Sequence, residues 1–136
     1  MIIASPEAML DAGEAFAGRL SAGDAVALYG ELGAGKTLFC KGVLTGLGYQ
    51  GDVPSPTYTI TQYYAPPEVR LAVVHADLYR LNHPDEMEEL GLLESDAVHL
   101  VEWAGQGGKA FERARFVIRI DRVNETEREL TIEETM

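Results

Sequence analysis

The strongest constraint on the fold is an octapeptide, Gly30 to Thr37, which reads GELGAGKT and matches the pattern G-x-x-x-x-G-K-[ST]. Residues 25–29 before it form a short apolar run, which is typical of a strand buried on both faces of a parallel sheet. After it, apolar residues recur at helical spacing as far as Gly48, which can end a helix in the left-handed conformation. Strand, glycine-rich loop and helix in this order predict a phosphate-binding loop in an α/β fold.

This loop also predicts how a nucleoside triphosphate would be held. Its glycines would let backbone N–H groups from Leu32 to Lys36 surround phosphate oxygens, while the helix N-terminus adds partial positive charge. Lys36 would then reach the β- and γ-phosphates, and the Thr37 hydroxyl would hold Mg²⁺. A glycine-rich turn that binds nothing is the alternative. The expected nucleotide-binding residues are Glu31, Leu32, Gly33, Ala34, Gly35, Lys36 and Thr37.

Length and charge limit the remaining possibilities. A chain of 136 residues has room for one sheet with helices but not for a second substrate domain, so we expect one phosphate-loop domain over residues 1–136. The net charge of −11 argues against direct binding of DNA or RNA, because such binding depends largely on neutralising phosphates. Any RNA would then be contacted indirectly, through another protein.

Targeting segments and the single cysteine give further information on the class of protein. The sequence shows neither a signal peptide nor an apolar run of membrane-spanning length, which predicts a cytoplasmic protein with no membrane contact. The single cysteine, Cys40, falls on the apolar stripe of the helix after the loop. A core role fits it better than a redox role.

Two further apolar runs end in acids. Residues 71–77 finish at Asp77, and residues 98–102 finish at Glu102. Ligands of open α/β sheets collect beyond the carboxyl ends of the strands, so both acids would face the γ-phosphate if these strands run parallel to the first. Each could instead be a surface residue or a helix cap. Beside a complete phosphate loop, we expect Lys36, Asp77 and Glu102 to be catalytic and Thr37, Asp77 and Glu102 to bind the metal.

Other polar residues near these acids leave two interpretations open. His75 lies on the same strand face as Asp77, where it would orient that carboxylate or serve as a structural histidine. Thr57 follows the stiff pair Ser55 and Pro56, and would either sense the γ-phosphate or be a plain turn residue. Arg80 would stabilise charge on the transferred phosphoryl group or form a surface ion pair.

The rest of the chain predicts a mixed sheet. A helix should begin at Ser5 and Pro6, because serine is a common N-cap and proline suits the first helical turn. Another buried strand is expected at 97–101. Two hairpins are predicted by β-rich runs separated by turn residues, one from 58–64 and 69–76 and the other from 116–120 and 130–132.

Five motifs together resemble the TsaE (YjeE) family. They are, in order, GELGAGKT at 30–37, SPTY at 55–58, HADLYR at 75–80, ELGL at 89–92 and VEW at 101–103. The resemblance implies a P-loop NTPase-like three-layer fold, with a mixed sheet and helices on both sides. It also implies an ATPase for threonylcarbamoyladenosine synthesis in tRNA, with ATP or ADP and with Mg²⁺ on Thr37, Glu102 and Asp77. The implied partners are TsaD and TsaB, the first carrying the transferase site. The chain departs from the family in Tyr58, where phenylalanine is common, and in residues 104–107, where proline and an acid are common.

Two other functions would use the same phosphate loop. A small-molecule or nucleotide kinase would use the same phosphate and metal ligands, but usually also needs an arginine-rich lid and an acceptor site. A nucleotide-responsive binding module would bind without meaningful hydrolysis. Because the chain shows no arginine-rich lid, we expect slow hydrolysis by the isolated protein and faster hydrolysis with a partner.

Overall fold

A computed structural model of the chain describes residues 1–31, 33–51, 53, 61–78, 96–103 and 114–135. Within these ranges the elements are β1 (Ile2–Ile3), α1 (Pro6–Ala17), β2 (Ala25–Tyr29), α2 (Lys36–Gly46), β3 (Thr61–Tyr64), β4 (Val73–Asp77), β5 (Val98–Glu102), β6 (Phe116–Arg122) and β7 (Arg128–Glu134). Neither α1 nor α2 is long and apolar enough to cross a membrane.

The described strands form one seven-stranded sheet in the order β1-β7-β6-β2-β5-β4-β3. Strand β2 lies between β5 and β6 and runs parallel to both, and β4 runs parallel to β5. Strands β3, β7 and β1 pair antiparallel with their neighbours. The predicted α/β fold with a mixed sheet is confirmed. Its topology brings the carboxyl ends of β2, β4 and β5 to the same edge of the sheet.

The first predicted hairpin is present as the antiparallel pair β3 and β4. Its second strand begins at Val73, not at Val69 as the sequence predicted. The reason lies in the intervening backbone, because the N–H of Arg70 donates to the carbonyl of Leu47 at 2.9 Å. These residues are therefore tied to the end of α2 and not to a strand.

The second predicted hairpin is β6 and β7, and both strands are longer than predicted. Asn124 shapes its turn, since its Oδ1 accepts hydrogen bonds from the backbone N–H groups of Thr126 and Glu127. Strand β1, which was not predicted, pairs with β7 at the edge of the sheet. Two residues are too few to show the alternation by which a strand is recognised.

Helix α1 begins, and helix α2 ends, where the sequence predicts. The side chain of Ser5 caps α1 by accepting from the N–H of Ala8, and Pro6 occupies the first turn. Helix α2 ends at Gly46, and Gly48 follows with a left-handed φ of 106°. The helices pack on each other through glycine, since a Cβ on Gly13 would lie 2.2 Å from the carbonyl oxygen of Phe39.

The sheet buries both of its faces. Residues of α1 and α2 pack with alternate residues of the central strands, among them Val26, Leu28, Leu100 and Ile118. The intervening strand residues, such as Ala27 and Val101, form a second buried cluster on the other face. Described helices cover only the first face, so the helices expected on the second face remain a prediction. This alternation places the side chains of Glu102, His75 and Asp77 on the α2 side.

Candidate functional site

The phosphate loop connects the end of β2 to the start of α2. Gly35 caps the helix with a φ of 115°, a conformation that residues with a Cβ rarely adopt. A Cβ added there would also lie 3.1 Å from the Cε of Met9 on α1. The loop is therefore held against α1, and the first turn of α2 presents its N-terminus at the sheet edge. Leu32, one of the predicted phosphate-binding residues, lies outside the described residues.

Lys36 is folded back onto the loop that carries it. Its Nζ atom donates to the carbonyl oxygens of Gly30 at 2.6 Å and Glu31 at 2.9 Å. The side chain also lies 4.1 Å from the centre of the Trp103 ring, a cation–π contact. Burial lowers the pKa of Lys36, while the negative charges of Glu102 and Asp77 raise it. The ammonium group thus contacts the loop and is within the electrostatic influence of both predicted acids.

Glu102 receives two hydrogen bonds from groups on neighbouring elements. The Thr37 hydroxyl donates to its Oε1 at 2.8 Å and lies 3.0 Å from its Oε2. The Nε2 of His75 lies 2.6 Å from Oε2, and because a carboxylate only accepts, the ring donates through Nε2–H. With Glu102 only 2% exposed and His75 fully buried, the carboxylate is fixed against the first turn of α2.

This geometry gives His75 a partner that neither interpretation named. The ring crosses to the neighbouring strand and orients Glu102, whereas the sequence pattern suggested Asp77 as its partner. Its other nitrogen, Nδ1, is buried and has no hydrogen-bond partner in the described part of the chain. The sequence could not choose between the acids, because the pairing depends on which strand lies beside β4.

Asp77 lies beside Glu102 because β4 and β5 pair in parallel with these two residues in register. It is 5% exposed, and its charge acts on Lys36. The structure therefore brings Lys36, Thr37, Asp77 and Glu102 together at one sheet edge, as the sequence predicted. Their catalytic and metal-binding roles stay predictions. Thr57 and Arg80 lie outside the described residues.

The donor set fits a magnesium ion. The Thr37 hydroxyl and the carboxylates of Glu102 and Asp77 are hard oxygen donors, which Mg²⁺ prefers. A softer set lies next to it, since ligand atoms of Cys40, His75 and Glu102 fall within 4.8 Å of one another. Burial raises the pKa of the Cys40 thiol well above its ordinary value, which disfavours the thiolate that a softer metal would need. Cys40 is a buried core residue, as expected.

Arg122 is a neighbour of the loop that sequence reasoning missed. Its Nη2 atom lies 3.5 Å from the carbonyl oxygen of Gly33. The residue lies at the end of β6 and is exposed. It reaches the loop because β6 pairs with β2 in parallel. No local signal in the sequence reveals this proximity, which depends on the strand order.

Comparison with known proteins identifies one family. A family model described as threonylcarbamoyl adenosine biosynthesis protein TsaE matches residues 3–130. The tRNA threonylcarbamoyladenosine biosynthesis protein TsaE of Streptomyces coelicolor is 43% identical over 117 residues, covering 84% of this chain and 79% of the relative. The protein of that name from Bacillus subtilis is 44% identical over 112 residues, covering 80% of this chain and 68% of the relative.

The Haemophilus influenzae protein of the same name is 40% identical over 99 residues, or 71% of this chain. That match spans 61% of the relative, less than two thirds of its length. Among solved structures, the crystal structure of Bacillus subtilis YdiB has a TM-score of 0.81 to this chain at 32% identity. The likeness covers 100% of this chain and 84% of that chain.

Proposed function

Since the chain belongs to the TsaE family of tRNA threonylcarbamoyladenosine biosynthesis proteins, we propose that it binds ATP with Mg²⁺ at the phosphate loop and hydrolyses it. The observation that carries this proposal is the hydrogen bond between Thr37 and Glu102 at the mouth of a complete loop. In phosphate-loop enzymes the threonine hydroxyl and a strand-terminal acid meet at the metal. The same residues meet here at 2.8 Å.

The loop supplies the binding step. Its backbone N–H groups and the N-terminus of α2 surround the phosphate oxygens, and Lys36 exchanges its bonds to Gly30 and Glu31 for the β- and γ-phosphates. A bound Mg²⁺ would neutralise negative charge on those phosphates. Thr37, Glu102 and Asp77 would hold it through oxygen atoms.

The acids supply the hydrolytic step. His75 and Thr37 hold the Glu102 carboxylate in one position, from which it would orient the attacking water or bind the metal. Asp77, its neighbour in register, adds a second negative charge close to Lys36. Because the sequence shows no arginine-rich lid, the rate should be low for the isolated protein. Stabilising charge from a partner can be worth roughly 10³ to 10⁵ in rate in such enzymes.

TsaD and TsaB are the proposed partners, with tRNA contacted only through them. The net charge of −11 fits a role away from tRNA phosphates. Hydrolysis would change the affinity of the chain for this complex. By linkage, a partner that prefers the ATP form strengthens ATP binding by the same factor that ATP strengthens the complex.

The test measures ATP turnover with Mg²⁺, alone and with the TsaD–TsaB complex. We expect slow turnover alone and a marked increase with the complex. Lys36→Ala should abolish productive ATP binding, whereas Lys41→Ala, on the same helix, should leave it unchanged. Glu102→Gln should keep binding but reduce turnover by roughly 10²-fold, because it removes charge and preserves shape. Normal ATP affinity and turnover in Lys36→Ala would refute the proposed site.

A further inference from the structure

Trp103 occupies a strained turn at the point where β5 ends beside the phosphate loop. Its φ is 58°, in the left-handed region that residues with a Cβ rarely adopt. Among the residues that the structure describes, it is the only one other than glycine with a positive φ. Such conformations persist where surrounding contacts hold them, and they are concentrated at functional sites. The contacts of this ring therefore indicate what the turn acts on.

The ring of Trp103 contacts two parts of the molecule. It packs against the second buried cluster, to which Ala27 and Val101 belong. It also lies under the ammonium group of Lys36, since Nζ is 4.1 Å from the ring centre. That separation is well within the cation–π range of about 6 Å, and tryptophan offers the strongest aromatic face for such a contact.

Lys36 is held in a ligand-free position by these contacts. Its side chain is buried, and Nζ donates to the carbonyl oxygens of Gly30 and Glu31 while it contacts the ring. A phosphate-loop lysine has to reach the β- and γ-phosphates instead. Each contact that stabilises the folded-back position therefore opposes binding of the triphosphate.

We propose that Trp103 is a positioning residue that holds Lys36 away from the phosphates and thereby sets the nucleotide affinity of the site. The proposal rests on the proposed function. The apparent dissociation constant for ATP is then raised in proportion as the lysine is held back, because only molecules with a released lysine bind productively. A cation–π contact of roughly 1 kcal/mol corresponds to about fivefold in affinity.

Two substitutions at this position separate the ring from the backbone turn. Trp103→Leu removes the aromatic face, and Trp103→Phe keeps a weaker one. Both replacements carry a Cβ, so the backbone strain is the same as in wild type. Tyr29→Leu is the matched control, because Tyr29 packs against the same cluster but its ring faces Arg119, at 5.0 Å. Circular dichroism would verify the fold of each variant.

Calorimetry would measure binding of ATP and of inorganic tripolyphosphate, each with Mg²⁺. Trp103→Leu should bind both probes about fivefold more tightly than wild type, and Trp103→Phe should lie between them. The gain should be equal for the two probes, because Lys36 would contact phosphates alone. Tyr29→Leu should bind both probes as wild type does.

Urea unfolding without ligand would test the contact itself. Lys36→Met removes the charge and keeps a long side chain. The effects of Lys36→Met and Trp103→Leu on the unfolding equilibrium constant should depart from additivity by about fivefold, because either substitution alone removes the same contact.

Unchanged or weaker tripolyphosphate binding by folded Trp103→Leu would overturn the proposal, and so would additive effects on unfolding. An equal gain in Tyr29→Leu would assign the effect to the buried cluster, and a loss of ATP affinity alone would place the ring on the base; both results would also overturn it. In all of these cases, ATP binding by wild type would still support the proposed function. Wild-type protein that binds neither probe would refute the proposed function, and this proposal with it.

Discussion

Replacement of Gly13 by alanine should destabilise the protein, because the backbones of α1 and α2 touch at this residue. The added Cβ would lie 2.2 Å from the carbonyl oxygen of Phe39 and 3.0 Å from the nitrogen of Val43. Nonbonded atoms need about 3.5 Å, so the helices would have to separate by roughly 1 Å. Overpacking of this kind costs about 1–3 kcal/mol, and the helix preference of alanine returns at most about 1 kcal/mol. We expect a net loss of about 1–2 kcal/mol.

The assay is thermal and urea unfolding followed by circular dichroism. For a chain of this length the predicted loss lowers Tm by roughly 4–8 °C. Gly18→Ala is the matched control, since Gly18 has a φ of −66° and a Cβ there would lie 3.5 Å from its nearest neighbour, Ala15 O. That variant should be neutral or slightly stabilised. If Gly13→Ala unfolds at the same temperature as Gly18→Ala, the helices do not meet as described.

Three further results are expected. His75→Ala should lower kcat for ATP more than it raises KM, because Glu102 loses the hydrogen-bond donor that orients it. The control is Gln50→Ala, a substitution at an exposed position. Equal effects of the two substitutions would argue against an orienting role for His75. Burial lowers the pKa of His99, so the unfolded state binds more protons than the folded state as pH falls through the ordinary histidine range. The free energy of unfolding should therefore decrease on acidification, by at most about 1.4 kcal/mol per pH unit for this group. The decrease should be shallower in His99→Gln. Trp103 emission should shift when Mg–ATP draws Lys36 from its ring, and an unchanged spectrum at saturating nucleotide would contradict that movement.

Local signals were sufficient for much of the fold. Strand β2, the loop and α2 follow from one apolar run, the glycine pattern and a helical stripe. The end of α2 follows from Gly48, and the start of α1 from Ser5 and Pro6. In each case, the residues that determine the structure lie within a few positions of it.

Relations between distant segments could not be predicted in the same way. Glu102 and Asp77 were predicted to meet because both end parallel strands, but the contact of His75 with Glu102 depends on the order of β4 and β5. Arg122 reaches Gly33 only because β6 lies beside β2. The short strand β1 likewise arises from packing, which leaves no periodic pattern in the sequence.

The central position of β2 also affects when the site can form during synthesis. Its two neighbours, β5 and β6, are both made long after the loop itself. Pairings between such distant segments form slowly, and a nascent chain emerges from its N-terminus. A ribosome that has just released GELGAGKT therefore carries the motif without the scaffold that shapes it. Nucleotide binding by a growing chain would mark the moment at which the later strands have joined β2 in the sheet.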